Sequence, residues 1–386
     1  MKQINHKQFR KLLKVYYEKI DDKGRKIPLL AYGTFGVGKS AVILDTAREI
    51  ATEKGKEFYE WNKISSEVKD EITKNPENKF VMIDIRLSEY DTSDIKGLPD
   101  FKGESSIIWK SPVWAKLLSN ENSDGLILFD EINLASPMVI SSVYKILYDR
   151  IINEDKIGSN WFIVGCGNTS EDRAYTHELS PPVRDRGGEV ILTPSSVENW
   201  IDDFAIPNQI DTRIIGFLSW KPTYLHSVDF EGEQKYTTER GWARLNSLIR
   251  DVKSQEDLEL ISGTAIGEGI AREFCAFTKL KEGIDFKAII ENPERLKDLR
   301  EKIDLKYFFT TAVAERYGNA KEKEITFEKI MKFSEVLDTM GNCEFVVLMW
   351  KLCSRYGNKK FYKDFAEKKD VDRAIRDKYC MYMGVN

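Results

Sequence analysis

The sequence predicts an α/β fold: a parallel sheet with helices on both faces, forming a three-layer αβα core, followed by a region made of helices alone. Three observations carry this expectation. An apolar run over residues 27–32 leads into Gly33-Thr34-Phe35-Gly36-Val37-Gly38-Lys39-Ser40 and on to Ala41-Val42-Ile43-Leu44, so a strand, a glycine loop and a helix follow one another. Three more compact apolar runs, at 80–85, 126–129 and 161–165, have the continuity of strands buried on both faces. From Ser195 onward apolar residues recur at helical spacing, and no second strand-rich region appears.

Length and composition bound the rest. A chain of 386 residues exceeds the size at which one core stops growing, so two or three subdomains are expected. Hydrophobic residues at 41% and charged residues at 32% describe a soluble protein with a heavily charged surface. No run of about 18 apolar residues occurs, so membrane insertion is not expected. The basic start Met1-Lys2-Gln3 is followed by no apolar segment of the secretory type, which points to a cytoplasmic setting. Five widely spaced cysteines without a C-x-x-C pair fit reduced thiols. Three scattered histidines give little support to a histidine metal site or a Ser/His/Asp hydrolase. A formal net charge of −4 does not suggest general binding of polyanions.

Apolar residues at helical spacing over 4–20 predict an entry helix, closed by the turn Asp21-Asp22-Lys23-Gly24. Next comes the glycine loop, whose residues Gly33, Thr34, Phe35, Gly36, Val37 and Gly38 turn backbone N–H groups inward on an anion, while the helix that begins at Ser40 and Ala41 adds its positive dipole end. Lys39 would reach the outer phosphates of a nucleotide, and Ser40 would offer a hydroxyl to Mg²⁺, which keeps most of its shell as water and phosphate oxygen. Residues 56–79 read as a connection with a short helix. The stretch 88–114 holds short apolar pieces between the turn residues Gly97, Pro99 and Gly103, the pattern of a projecting hairpin that is either an ordinary surface element or a partner-contacting loop.

The run Leu126-Ile127-Leu128-Phe129 delivers Asp130 and Glu131 to the C-terminal end of a strand, where ligands of parallel sheets gather. Asp130 would serve the Mg²⁺ shell, and Glu131 would polarise the water that attacks the terminal phosphate. Ser136-Pro137 predicts a helix start. Asn168, after the strand at 161–165, is either a phosphate-sensing side chain or a turn former. Arg184 and Arg186, before a last strand at 189–192, are either a solvated pair or the source of a charge-neutralising finger. Helices are predicted over 197–204, 209–218, 238–252, 267–280, 325–340 and 343–356, with 345–350 buried almost all round. The expected division is a nucleotide-binding core at 1–205, a helical lid at 206–290 and a helical extension at 291–386.

Together these pieces resemble an AAA+ ATPase, and more narrowly its MoxR-like branch. The resemblance rests on Gly33 to Ser40 as Walker A, on Leu126 to Glu131 with Ile132-Asn133 as Walker B, and on Gly165 to Asn168 as the sensor 1 strand. Asp94-Ile95-Lys96-Gly97-Leu98-Pro99 is similar to the branch's D-x-x-G-x-P loop, and residues 175–192 to its finger region. Thr238-Glu239-Arg240-Gly241-Trp242 resembles the start of the lid helix, which would make Arg240 the sensor 2 arginine. Two positions depart from the pattern: Gly187 replaces the aromatic that usually follows the finger arginine, and Thr-Glu-Arg replaces Thr-Pro-Arg. Arg186 aligns with the family finger. The resemblance implies binding and hydrolysis of ATP with Mg²⁺, a homo-oligomeric and typically hexameric ring with Arg186 acting on the neighbouring subunit, and remodelling of a protein client, often beside a separate von Willebrand factor A domain protein. Alternatives are a DNA- or RNA-associated motor, against which the mixed charges of 88–114 argue, and a nucleotide-gated scaffold with little hydrolysis.

Overall fold

The computed structural model describes residues 1–100, 108–169, 186–227, 237–252, 254–280, 284–318, 324–357, 360–368 and 373–380. Arg184 and the segment of the finger region before Arg186 lie outside these. The chain packs as two compact units, Met1–Pro194 and Ser195–Asn386.

In chain order the first unit contains β1 (Lys2–Ile4), α1 (His6–Glu18), β2 (Leu29–Tyr32), α2 (Lys39–Glu53), β3 (Glu57–Glu60), α3 (Ser66–Lys74), β4 (Lys79–Arg86), α4 (Thr92–Lys96), β5 (Leu98–Asp100) and β6 (Ile108–Lys110). It continues with α5 (Val113–Leu118), β7 (Gly125–Asp130), α6 (Pro137–Tyr144), β8 (Ile151–Ile152), β9 (Asp155–Lys156), β10 (Trp161–Gly167) and β11 (Gly188–Leu192). Seven strands form one sheet in the order β1-β11-β2-β10-β7-β4-β3, with every pairing parallel. Successive side chains of a strand point to opposite faces. On one face Met82, Leu126, Leu128 and Val164 pack with Ile43 and Ala47 of α2 and Phe9 and Leu13 of α1. On the other, Ile83, Ile127, Phe129 and Ile163 pack with Leu117 of α5 and Val139 and Val143 of α6. Two-sided burial explains why the central strands read as unbroken apolar runs. The expected class, an α/β core with a parallel sheet between two helical layers followed by a region that is helical among its described residues, is the class observed.

Local signals act where expected. The Ser136 side chain accepts the Val139 N–H and Pro137 opens α6. The 88–114 stretch carries α4 and an antiparallel β5–β6 pair. Two strands of the sheet were missed by the sequence reasoning. In β1 only Ile4 is buried, and the strand is three residues long on the sheet edge. In β3, placed in the connection over 56–79, charged Glu57 and Glu60 frame Phe58 and Tyr59, and none of the four residues is fully buried. Edge strands lack the two-sided burial that writes an apolar run into the sequence.

The second unit is helical among its described residues: α7 (Val197–Trp200), α8 (Thr212–Trp220), α9 (Glu239–Ile249), α10 (Gln255–Ile266), α11 (Glu268–Lys279), α12 (Phe286–Glu291), α13 (Ile303–Gly318), α14 (Phe327–Thr339), α15 (Cys343–Tyr356), α16 (Lys360–Glu367) and α17 (Arg373–Tyr379). Its core is rich in aromatics, with Phe217 against Trp242, Phe274 and Phe277, and Trp350 against Phe361, Phe365 and Tyr379. The long α13 was not anticipated. It buries Leu305, Phe308, Phe309, Thr310, Val313, Ala314 and Tyr317, which lie around much of its girth, so no single apolar stripe marks it. In α15, Phe345, Val346, Met349 and Trp350 are buried while Val347 and Leu348 are only partly so, which corrects the expectation of burial all round.

Candidate functional site

The site grows from the end of β2. After Tyr32 the chain turns through Gly33 to Gly38 and enters α2 at Lys39. Gly36 has φ +75° and Gly38 φ +90°, backbone settings that a Cβ resists. Gly38 is the N-cap of α2 and supplies no side-chain cap, and free N–H groups at a helix start are donors of the kind an anion accepts. Thr34, Phe35 and Val37 complete the loop, and Ala41 lies in the first turn of α2. Gly38→Ala is expected to cost about 1–3 kcal/mol of stability, the range for a non-glycine residue held in the left-handed region, and to weaken nucleotide affinity more than stability alone explains; thermal unfolding with and without ATP checks both.

Lys39 is 8% exposed, and its Nζ donates to Gly33 O at 2.7 Å, Thr34 O at 3.1 Å and Asn168 Oδ1 at 3.3 Å. A buried ammonium bridging the loop and the end of β10 marks where negative charge belongs. Ser40 Oγ donates to Asp130 Oδ2 at 2.6 Å, joining the first turn of α2 to the tip of β7. The other oxygen of Asp130 accepts the Glu131 N–H at 2.9 Å. Hydroxyl and carboxylate oxygens at this spacing are the hard donors a magnesium ion takes, with phosphate and water oxygens completing the shell. No group of three or more His, Cys, Asp or Glu side chains stands ready to hold a metal among the described residues, so such an ion would depend on those phosphate and water oxygens.

Glu131 has φ +57°, an uncommon setting for a residue with a side chain, and its Oε2 accepts a hydrogen bond from Ser88 Oγ. Asn168 is gripped on its backbone by Asn133, which accepts its N–H at 3.0 Å and donates to its carbonyl at 2.8 Å, so its side chain is aimed by a neighbour rather than by the turn alone. The structure thus brings Lys39, Ser40, Asp130, Glu131 and Asn168 to the C-terminal ends of adjacent strands.

Four residues at this end were not singled out from the sequence. Ser88 and Asp84 come from β4 and the turn after it. Asn133 follows the Asp130-Glu131 pair, and nothing in the sequence gives it a task. His6, dismissed with the other histidines, places Nε2 2.6 Å from Val37 O and ties the start of α1 to the loop. Nothing local in the sequence signals His6, since the contact spans 31 positions. Asp84 carries a carboxyl pushed up to about 6, first by burial and then by the charge of Asp130. Burial also raises the Cys166 thiol beneath the loop, which makes it an unreactive packing group.

Arg186 lies elsewhere in the same unit. It precedes β11, whose Gly188 is paired with Leu29 at the start of β2, whereas the glycine loop leaves the end of β2. The separation is at least the length of the strand, about 13 Å at ~3.3 Å per residue. Arg186 is exposed, and it lines a cavity of about 400 Å³ with Lys23, Arg25, Tyr148 and Arg150. A Cβ on Gly187 would stand 3.0 Å from Pro28 O, a tight approach, and 3.6 Å from the Tyr148 ring, an ordinary contact, so the backbone of Pro28 is what presses on a side chain at this position. Arg240 is exposed in the first turn of α9 in the second unit, after the N-cap Thr238.

Scanned against known protein families and against curated proteins, the chain matches none. Similar solved structures include the RuvB Holliday junction branch migration motor of Thermotoga maritima, at 16% identity over 75% of this chain and 76% of that one with a TM-score of 0.32. The ORC2 protein of Aeropyrum pernix is 13% identical over 90% of this chain and 93% of that one with a TM-score of 0.36. Neither similarity is strong enough to lend this chain a residue role. No helix among the described residues is long and apolar enough to cross a membrane.

Proposed function

We propose that this chain is an AAA+ ATPase, most similar to the MoxR-like branch, that binds ATP with Mg²⁺ and hydrolyses it within a homo-oligomeric ring to remodel a protein complex. The observation that carries the reading is the pair of contacts that assemble the phosphate end: Ser40 Oγ to Asp130 Oδ2 at 2.6 Å, and Lys39 Nζ shared between Gly33 O, Thr34 O and Asn168 Oδ1. In this reading the loop N–H groups and Lys39 hold the phosphates, Ser40 and Asp130 hold the ion, and Asn168 contacts the terminal phosphate. When bound, Mg²⁺ neutralises charge on the outer phosphate oxygens. Glu131 accepts the proton of the water whose oxygen bonds to the terminal phosphorus as the bond to the bridging oxygen breaks, giving ADP and phosphate. The resemblance adds a lid at 206–290 with Arg240 reaching the nucleotide, a helical extension at 291–386, and a separate von Willebrand factor A domain protein as partner.

Arg186 belongs to the far end of its own sheet, so a finger role requires a second subunit. ATP hydrolysis per subunit is therefore expected to rise with protein concentration as oligomers form, and Arg186→Ala to lower it by roughly 10³-fold, the scale of finger effects, without dissolving the oligomer. Steady-state turnover and light scattering on the same samples check this. Activity that is independent of concentration, or that survives the substitution, would remove the finger in trans.

A further inference from the structure

Asp84 is a costly residue at its position. The register of β4 and β7 pairs Arg86 with Asp130 and Asp84 with Leu128, so Asp84 is the diagonal neighbour of Asp130 across one strand spacing of about 4.8 Å. Both carboxylates face the side of the sheet that α2 covers, because Asp84 follows Met82 and Asp130 follows Leu128 in the two-residue alternation, and Met82 and Leu128 pack with Ile43 and Ala47. Asp84 is half-buried, and its Oδ1 is buried with no hydrogen-bond partner among the described residues. Its backbone is fixed from both sides by Asn62, which donates to Asp84 O at 2.8 Å and accepts the Asp84 N–H at 3.0 Å. A strand whose interior is otherwise Phe80, Val81, Met82, Ile83 and Ile85 would take an aliphatic residue at lower free energy here. A rigidly held, unpartnered carboxylate oxygen beside a second carboxylate is explained by a positive group that arrives with a ligand.

We propose that Asp84 is a positioning residue for the divalent cation: it accepts hydrogen bonds from water in the cation's shell, while Ser40 and Asp130 make the direct contacts. The proposal rests on the reading of Ser40 and Asp130 as the ion's protein ligands. Asp84→Asn keeps the size of the side chain and removes the charge. Outer-shell partners of metal sites set affinity by roughly 10- to 100-fold. Half-saturation by Mg²⁺, read as the Mg²⁺ dependence of the affinity for a fluorescent ATP analogue, is expected to rise by about 10-fold or more in the variant. Affinity for the analogue in EDTA is expected to be unchanged or tighter, since a negative charge near the phosphates is gone.

The melting temperature of the nucleotide-free protein separates this from a structural role. A positioning residue that destabilises the empty fold predicts an unchanged or higher value for Asp84→Asn; a structural residue predicts a lower one. Asp84→Ser, smaller and still able to house water, repeats the test with the same expectation. Wild type whose nucleotide affinity ignores Mg²⁺ would overturn the underlying reading and the proposal with it. Normal Mg²⁺ dependence in wild type, with the same half-saturation in both Asp84 variants, would overturn the role of Asp84 alone.

Discussion

Glu131→Gln is expected to retain ATP binding and to lower hydrolysis by roughly 10²- to 10⁴-fold, the range for loss of a general base. The geometry makes this a clean substitution. Glutamine has the same length, meets the same φ of +57°, and keeps an oxygen that can accept from Ser88 Oγ. Its N–H continues to reach Asp130 Oδ1 at 2.9 Å, so Asp130 is undisturbed. What changes is the ability to take a proton from water. Phosphate release under saturating ATP, with binding measured by a fluorescent analogue, checks the split between the two steps. The expected result is a long-lived ATP complex that accumulates as assembled oligomer. Turnover equal to wild type would take Glu131 out of the proton-accepting role. Lys39→Ala is the matching control and should lose binding itself, since Lys39 Nζ is the buried cation between the loop and Asn168.

The second large effect is on stability. Asp124 is 1% exposed just before β7 and accepts from Lys54 Nζ at 2.5 Å, Lys56 Nζ at 2.8 Å and Tyr17 Oη at 2.7 Å. One carboxylate thus fastens α1, the end of α2 and the entry to β3 to the start of β7. Removing one partner of a buried ion pair costs about 3–5 kcal/mol because the other is left uncompensated. Asp124→Ala should fall toward the lower end of that range, since the two lysine side chains are 38% and 21% exposed and can turn to solvent. Asp124 and Asp130 are six residues apart along β7, about 20 Å at ~3.3 Å per residue, so nucleotide affinity should persist at temperatures where the variant is folded. Chemical denaturation followed by circular dichroism, beside ATP titration, tests both halves.

The same network gives a pH dependence. Burial alone would raise the Asp124 carboxyl, but hydrogen bonds from Lys54, Lys56 and Tyr17 outweigh it and hold the group below the usual carboxylate range. A depressed carboxyl contributes stability above its unfolded pKa and loses it as pH falls through the folded one, so acid should unfold wild type more steeply than Asp124→Ala. Lys26 runs the other way. Burial, with the charges of Lys54 and Arg150 against it and Asp124 in its favour, pushes its ammonium down to about 8. Its contribution to stability grows as pH rises from about 8 toward the ordinary lysine range.

Much of the candidate site was legible because its chemistry is local. Eight consecutive residues make a phosphate loop only between a strand and a helix, and both flanks were visible as an apolar run and a helical repeat. Asp130 and Glu131 stood out because a strand buried on two faces is an unbroken apolar run, and two acids at its end break the pattern. Ser88, Asp84, Asn133 and His6 were hidden for the opposite reason. Each matters through contacts with residues 31 to 46 positions away or on another strand, and serine, asparagine and a lone histidine are ordinary in turns and helix starts.

The sequence by itself determined the α/β class, the place of the glycine loop and the change to helices at Ser195, since these follow from short-range periodicity and from glycines where backbone must turn. Only the tertiary structure decided that β1 and β3 complete the sheet at its edges, that α13 is a helix enclosed on most sides, that the Pro28 carbonyl lies close to Gly187, and that Asp84 stands beside Asp130. Edge pairing, enclosure and strand register depend on which segments meet, and that is settled by the packing of the whole chain rather than by any stretch of it.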